Sequence, residues 1–261
     1  MRGLLKVVSA VDISYQAFLD EAIKRARALG VEDEDANIRI LGACFASFTS
    51  MDYALMRGKE VIVDCEIRGY HGQAFTDMPS QVKCKVRDLL KLNVNSTRDR
   101  ALLFSCLNCL MAMTGEIKGT VHCRKEAPDK CGEMLADEIE RRYGRSVRVA
   151  HIGFQPGHVK ATAARFREVK VTDLNPENIG KVKHGIVILS GDENPRVIEW
   201  ADVVCITGSA IVNGTLFDLL RLCSEHGKHA IVYGVTVKGA AKIMGIPVFC
   251  PLSLDSLGDE A

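Results

Sequence analysis

No stretch of the sequence stays apolar for the roughly 18 residues that a bilayer demands, so no membrane span is expected. Charge of one sign is missing too: 34 Lys and Arg face 33 Asp and Glu, a net charge of +1. A nucleic-acid partner would call for a basic excess or stripe, and the sequence offers neither. The opening MRGLLKVVSAVDISYQAF has a short apolar patch, but Asp12 interrupts it early and no small-residue cleavage site follows. That is not the pattern of a secretory signal, and a cytoplasmic protein is expected. The tight Cys/His spacing of a zinc finger is absent, as is the G-x-G-x-x-G fingerprint of dinucleotide sites.

Cysteine, by contrast, is plentiful, with ten residues. A disulfide framework suits short exported chains, whereas this chain is long and sets most of its cysteines in apolar strands or helices. Cys65, Cys205 and Cys250 fall in strand-like runs and Cys223 in a helix, where a thiol acts as a small hydrophobe. A hydrophobic content of 47% and a charged content of 26% are ordinary for a globular protein. A chain of 261 residues can bury a large core as one big domain or two smaller ones. It has no internal repeat, and the tail DSLGDEA reads as frayed.

The stretch with the clearest grammar is VRVAHIGFQPGHVKATAARFREVKVTDLN, residues 147–175. An apolar run stops at Gly153, and the turn Phe154-Gln155-Pro156-Gly157 leads into an amphipathic run to Phe166. A second strand, Val169–Thr172, closes on Asp173. Strand, glycine turn, helix, strand and acid form a nucleotide-type βαβ unit, with the acid twenty residues after Gly153. The turn itself is G-x-x-x-G, so the scaffold signal is strong and the cofactor signal weak.

Before this stretch the elements are mixed. Helical spacing is expected over 12–29, 85–92, 98–113 and 128–143, and strands over 38–44 and 60–67. Gly69–Pro79, rich in glycine and hydrogen-bonding side chains, reads as a loop. Gly144-Arg145-Ser146 is the best boundary, giving domains 1–144 and 145–261. Beyond it strands and helices alternate, which predicts a mostly parallel sheet covered on both faces.

Ligands of open α/β sheets sit beyond the carboxyl ends of the strands. Four such predicted ends carry Gly153, Asp173, Thr207 and Gly234-Val235-Thr236. Thr207-Gly208-Ser209 closes one strand, and Asn213 reads as the N-cap of the next helix, a place that suits phosphate or carboxylate. Each turn alone could simply be a tight βα connection; together they predict a ligand crevice. His158, opening the helix after the glycine turn, would stand over it or point to solvent. His71 and Asp77 could reach a ligand or merely pin the Gln73 loop. His122-Cys123, on an extended segment, would point to opposite faces and so not easily share one ion, which leaves one of them with Cys131 as the alternative. Cys106 and Cys109 share a helix face among leucines, which argues for packing.

The motifs HxGFQPGHV (His151–Val159), TDLNPENIG (Thr172–Gly180), WADVVCITGSAIVNGT (Trp200–Thr215) and YGVTVKGAAKIMG (Tyr233–Gly245) carry a family resemblance. TSMDYAL (Thr49–Leu55), GYHGQAFTDMP (Gly69–Pro79) and GTVHC (Gly119–Cys123) extend it over nearly the whole chain. The chain resembles the bacterial and archaeal family named for heavy-metal chelation, whose activity is not established. The resemblance implies an α/β fold: a Rossmann-like, mostly parallel C-terminal domain joined to a smaller α+β domain like the N-terminal domain of enolase. It implies a cleft between them, in which the GQAFTD loop faces Asp173, Thr207–Ser209 and Asn213. The enolase likeness is one of shape, since that enzyme's metal carboxylates and lysine belong to a barrel this chain lacks.

The expected function is binding of an anionic or metal-chelating small molecule in that cleft, with or without catalysis. Asp173 would hold a hydroxyl or amine. Thr207, Ser209 and the N–H groups near Asn213 would hold a carboxylate or phosphate. Gln73, Thr76, Asp77 and His122 would close the other side, with Gly153, Pro156, His158, Asn175, Gly208 and Thr236 completing the lining. A heavy-metal ion would arrive through its chelator. The alternatives are a transferase using S-adenosylmethionine or a nucleotide, and a sensory module without chemistry. No nucleic acid or membrane partner is expected, and α/β proteins of this size are often homodimers.

Overall fold

The structure, a computed structural model, describes residues 14–258. The apolar opening stretch and the last three residues of the tail lie outside the described residues. Ser14 caps α1 (Tyr15–Leu29) by accepting from Ala17 N, and Gly30, at φ 62°, stops it as a left-handed cap. There follow β1 (Asp35–Leu41), α2 (Ala43–Ala46), a 3-10 turn (Ala54–Arg57), β2 (Val61–Ile67), β3 (Tyr70–Thr76), β4 (Val82–Lys85) and α3 (Val86–Leu89). These strands form an antiparallel sheet of order β3-β2-β1-β4.

The expected loop at Gly69–Pro79 is therefore mostly strand. Its backbone pairs with β2 from Val61↔Thr76 to Ile67↔Tyr70. Glycine weakens a strand unless another backbone must come close, and here one does. A Cβ on Gly72 would stand 2.1 Å from Cys109 N and 2.2 Å from Ser105 O. Both belong to α4 (Thr97–Met113), the nearly all-apolar helix, which is buried from Arg100 to Met111. Small residues on one face of β3 thus let α4 lie directly on the sheet.

After α5 (Ala127–Tyr143) the chain alternates: β5 (Val149–Ile152), α6 (Pro156–Arg165), β6 (Val169–Asp173), β7 (Val182–Lys183), β8 (Ile186–Ser190), α7 (Asn194–Trp200) and β9 (Val203–Thr207). Then come α8 (Ala210–Asn213), α9 (Leu216–Glu225), β10 (His229–Tyr233), α10 (Lys238–Met244) and β11 (Val248–Phe249). The sheet order is β11-β10-β9-β5-β6-β8-β7, parallel except for the terminal β7–β8 hairpin. Numbered by their place in the chain, its parallel strands run 3-2-1-4-5-6, the doubly wound order whose crevice opens between strands 1 and 4. Here those strands are β5 and β9.

The core is continuous across both sheets. Phe18, Val63, Cys65 and Ala74 belong to the same buried cluster as Ala150, Val204, Ile206, Ile211 and Ala240, with α4 between them. Helix α5 precedes Gly144, yet it packs on α6 and puts Leu135, Ala136 and Ile139 against Val149, Val203 and Cys205 of the parallel sheet. The crossing of α5 and α6 is backbone on backbone: a Cβ on Gly132 would stand 2.3 Å from Gly157 O. All ten cysteines are unpaired, and Cys106 and Cys109 pack in the core as expected. Among the described residues no helix is long and apolar enough to cross a membrane.

Of the buried polar side chains of α4, Asn108 reaches across to the second half of the chain with both ends of its amide. The Asn108 amide nitrogen donates to Gln73 O (3.0 Å), Val235 O (3.2 Å) and Thr236 O (3.3 Å), and its oxygen accepts from Gly239 N (2.7 Å). It is 1% exposed. Replacing it by alanine strands those buried backbone groups, each at a cost of about 1–3 kcal/mol. Asn108→Ala is expected to lose about 3 kcal/mol or more in urea-induced unfolding; a loss below about 1 kcal/mol would show that the clamp is dispensable.

Candidate functional site

A cavity of about 160 Å³ lies at the carboxyl edge of the parallel sheet, closed on the other side by residues of the first half. The strand ends Gly153, Asp173, Thr207 and Gly234-Val235-Thr236 all line it, as do Asn175, Gly208, Ser209, Asn213, His158 and His122. Four residues expected at the site do not line it. Gln73 and Thr76 are buried in β3, Pro156 is buried at the start of α6, and Asp77 is exposed beyond the end of β3.

The strand-end wall is held by its own polar groups. Gly153 takes φ 95°, and a Cβ there would stand 2.5 Å from Thr207 Cγ2, so the exits of β5 and β9 approach as only glycine permits. Asp173 Oδ2 accepts from Phe154 N (2.9 Å) and Asn178 Nδ2 (3.1 Å), and Oδ1 from Asn175 N (2.7 Å). The expected ribose acid thus works first as a pin for the Gly153 turn and for its own Asx turn. Asn213 is not an N-cap. It is the last residue of α8, its N–H donates to Ser209 O (3.0 Å), and the chain breaks at Gly214 (φ 87°) before α9 begins. Two consecutive short helices replace the one expected because left-handed Gly214 cannot continue a helix.

The opposite wall includes Phe48, residues 52–55, Glu60, Phe75, His122 and Cys123. The 3-10 segment is tied to the parallel-sheet side through Asp52–Lys183 (2.5 Å), Lys59–Glu177 (2.8 Å) and Arg57 Nη2 to Asn178 Oδ1 (3.3 Å). His122 does not sit on a regular strand. Its segment makes one bridge, Val121↔Leu254, and leans on β3 through Gln73 N to Thr120 O (3.1 Å). The His122 ring meets Phe75 edge-on at 4.4 Å, and Gln73 Oε1 lies 2.8 Å from its backbone N and 3.1 Å from its Nδ1. His71, away from the cavity, binds buried Asp64 (3.1 Å), so it pins the sheet.

Burial governs the ionisation of the cavity. It pushes His122 down to about 3, aided by the Lys238 charge and opposed by Asp64. It pushes His158 down to about 4, opposed by Asp129. Both imidazoles are neutral near pH 7. Glu60, which the sequence reading placed as the first residue of the expected strand 60–67 and gave no role, is pushed up to about 7 by burial and by the charges of Asp173 and Asp77, with Arg57 opposing. The lining contains three acids, Asp52, Glu60 and Asp173, and no Lys or Arg. Among the described residues no three His, Cys, Asp or Glu side chains group as a metal cage would require.

His158 is 5% exposed, turned inward rather than to solvent, and neither of its ring nitrogens has a hydrogen-bond partner. Its ring stands perpendicular (85°) to that of Tyr233 at 4.4 Å, and the buried Tyr233 hydroxyl also lacks a well-formed hydrogen bond. Unpaired buried polar groups cost about 1–3 kcal/mol each and call for a function. His158→Phe keeps the aromatic shape and removes the orphaned nitrogens. It is expected to raise the ligand-free melting temperature, by about 1 kcal/mol in stability; a clear loss of stability would mean that the nitrogens are satisfied in solution.

Residues 136–246 match the DUF364 family, whose description reads "Putative heavy-metal chelation", in keeping with the sequence resemblance. Two solved structures of DUF364 proteins of unknown function are similar. That from Pyrococcus horikoshii is 15% identical, with a TM-score of 0.50 over 88% of this chain and 79% of that one. That from Desulfitobacterium hafniense is 12% identical, with a TM-score of 0.52 over 90% of this chain and 85% of that one. At such identities the likeness is one of fold, and it supports the mixed α/β architecture with one mostly parallel and one antiparallel sheet. No curated protein matches the sequence.

Proposed function

We propose that the cavity binds a small, positively charged metal complex between the carboxyl edge of the parallel sheet and the wall formed by the first half. The observation that carries this reading is the lining itself: the acids Asp52, Glu60 and Asp173, no Lys or Arg, and a buried His158 with two unused nitrogens. Asp52 is already paired with Lys183, but a free anion would still meet Asp173 and the titrating Glu60 with no cation in the lining to receive it, an unfavourable contact in a partly desolvated site. This charge pattern favours the metal-chelate half of the sequence expectation over a bare carboxylate or phosphate. The family description points the same way. Because no three donor side chains converge among the described residues, the metal would bring most of its own ligands.

One observation favours the transferase alternative. The 3-2-1-4-5-6 strand order and the crevice between β5 and β9 are those of nucleotide-binding sheets. Against it, Asp173 already accepts three hydrogen bonds from its own neighbourhood and is poorly placed to grip a ribose.

The direct test is native mass spectrometry of the purified protein, with thermal shifts against divalent copper, cobalt and zinc, alone and as cationic amine complexes. Stabilisation by a cationic complex beyond that by its metal or its ligand alone is expected. No stabilisation by any of them would remove the proposal.

Glu60 adds a pH signature. Its carboxyl titrates at about 7 in the folded chain, above the ordinary 4.5. The folded state therefore holds the proton more tightly, and the group's cost to stability grows as pH rises from 4.5 to about 7. Over the same rise the carboxylate facing Asp173, Asp77 and Arg57 becomes available to a cation. The wild-type protein should lose stability but bind a cationic complex more tightly as pH rises from 4.5 to about 7, with both trends levelling off above that, and Glu60→Gln should flatten them. Unchanged profiles in the variant would exclude Glu60 from the site.

A further inference from the structure

Asp64 is fully buried (0% exposed) in β2, between the buried Val63 and Cys65. It accepts from Gln73 Nε2 (2.9 Å), Arg39 Nη2 (3.0 Å) and His71 Nδ1 (3.1 Å). Burial alone would raise its pKa, but the hydrogen bonds from His71 and Gln73 and the neighbouring charges outweigh this and hold it below the ordinary value. An ionised carboxylate can only accept. Gln73 must therefore turn its NH₂ toward Asp64, which lies directly opposite it in the β2–β3 register. That orientation leaves Gln73 Oε1 facing His122.

The amide oxygen also can only accept. It takes the His122 backbone N–H (2.8 Å) and faces His122 Nδ1 at 3.1 Å. Nδ1 must then carry the proton of the neutral ring, and Nε2 is left with a bare lone pair. Nε2 has no hydrogen-bond partner among the described residues, and the side chain lines the cavity. Phe75, edge-on at 4.4 Å, fixes the ring plane. Thr120, which donates to His71 O (2.6 Å) and accepts from Gln73 N (3.1 Å), binds the whole segment to β3.

We propose that Asp64 and Gln73 form a positioning relay that locks His122 in its Nδ1–H tautomer and presents Nε2 to the cavity as the ligand anchoring the metal of a bound complex. The anchor rests on the cavity reading given above; the relay does not. A histidine metal ligand is commonly oriented by an acceptor on its other nitrogen, usually a carboxylate or backbone carbonyl. Here the amide of Gln73 passes the carboxylate's orientation on, keeping the charge of Asp64 out of the cavity. The buried ring does not take up a proton near pH 7, so the lone pair stays available to a metal. A single imidazole nitrogen suits a complex with one open coordination position and a net positive charge that Glu60 and Asp173 would balance.

Two measurements on the full chain test this. In ¹⁵N-detected NMR of the protein without added metal, the neutral His122 ring should show a protonated Nδ1 and a bare Nε2. An Nε2–H tautomer overturns the relay whatever the cavity binds. For the anchor, the probe is the dicationic copper(II)–terpyridine complex. One equivalent should bind, and pulsed EPR should detect the remote nitrogen of one imidazole. His122→Gln should weaken binding at least about tenfold, while a control at the exposed His226, His226→Gln, should leave it unchanged. Undiminished binding by His122→Gln overturns the anchor and leaves the cavity reading standing. Failure of the wild-type protein to bind the complex counts against the cavity reading and the anchor together.

Discussion

The structure hangs on one buried amide. Asn108 sits in α4, buried from Arg100 to Met111, where a polar side chain is tolerated only if all its hydrogen bonds are made. They are made, to β3 on one side and to residues 235–239 on the other. Phe75 N adds a parallel tie to Thr236 Oγ1 at 3.0 Å. Apolar packing around α4 would hold the two sheets together without fixing how far one slides along the other. The amide supplies that register, and with it the position of Phe75 and His122 opposite the strand ends.

Electrostatically, the cavity combines groups that burial has moved in the same direction, toward neutrality. Two histidines lose their protons and a glutamate keeps its own near pH 7. What remains are lone pairs, aromatic edges and carboxylates whose charge a cation could call out. Under the proposed reading, such a site would discriminate by charge and by open coordination position more than by shape.

Much of the second half was legible in the sequence because its physics is local. Each strand there is a short apolar run ending in glycine, hydroxyl or acid, and each helix has its own spacing. Gly153, Asp173 and Thr207 emerge at one edge because a doubly wound sheet puts them there. The first half was less legible because its signals are tertiary. Gly72 and Gln73 look like loop residues until α4 is seen lying on the one and Asp64 facing the other. Asn213 looked like a cap because nothing local announces that Gly214 takes a left-handed turn. Glu60 carried no signal, since its unusual titration comes first from burial in the folded chain and then from Asp173, more than a hundred residues away. Asp64, an acid inside VIVDCEI, was the one visible anomaly, and a buried charge in such a run always implies partners.

The glycine crossing of α5 and α6 gives the cavity two walls of different character. With Gly132 against Gly157 O, and with Gly157 itself hemmed in by Asp129 and Tyr53, the first turn of α6 has no room to shift. His158 stands on that turn, so its wall is set by backbone contact. The facing wall, residues 52–60, is held to that same turn at Tyr53, whose hydroxyl donates to Asp129 Oδ1 (2.7 Å) and accepts from Gly157 N (3.2 Å), while its flanks are tied by ion pairs that water can reach and salt can screen. The cavity thus has one jaw set by backbone contact and a facing one that is pinned to it at a single buried hydroxyl and salt-sensitive at its edges.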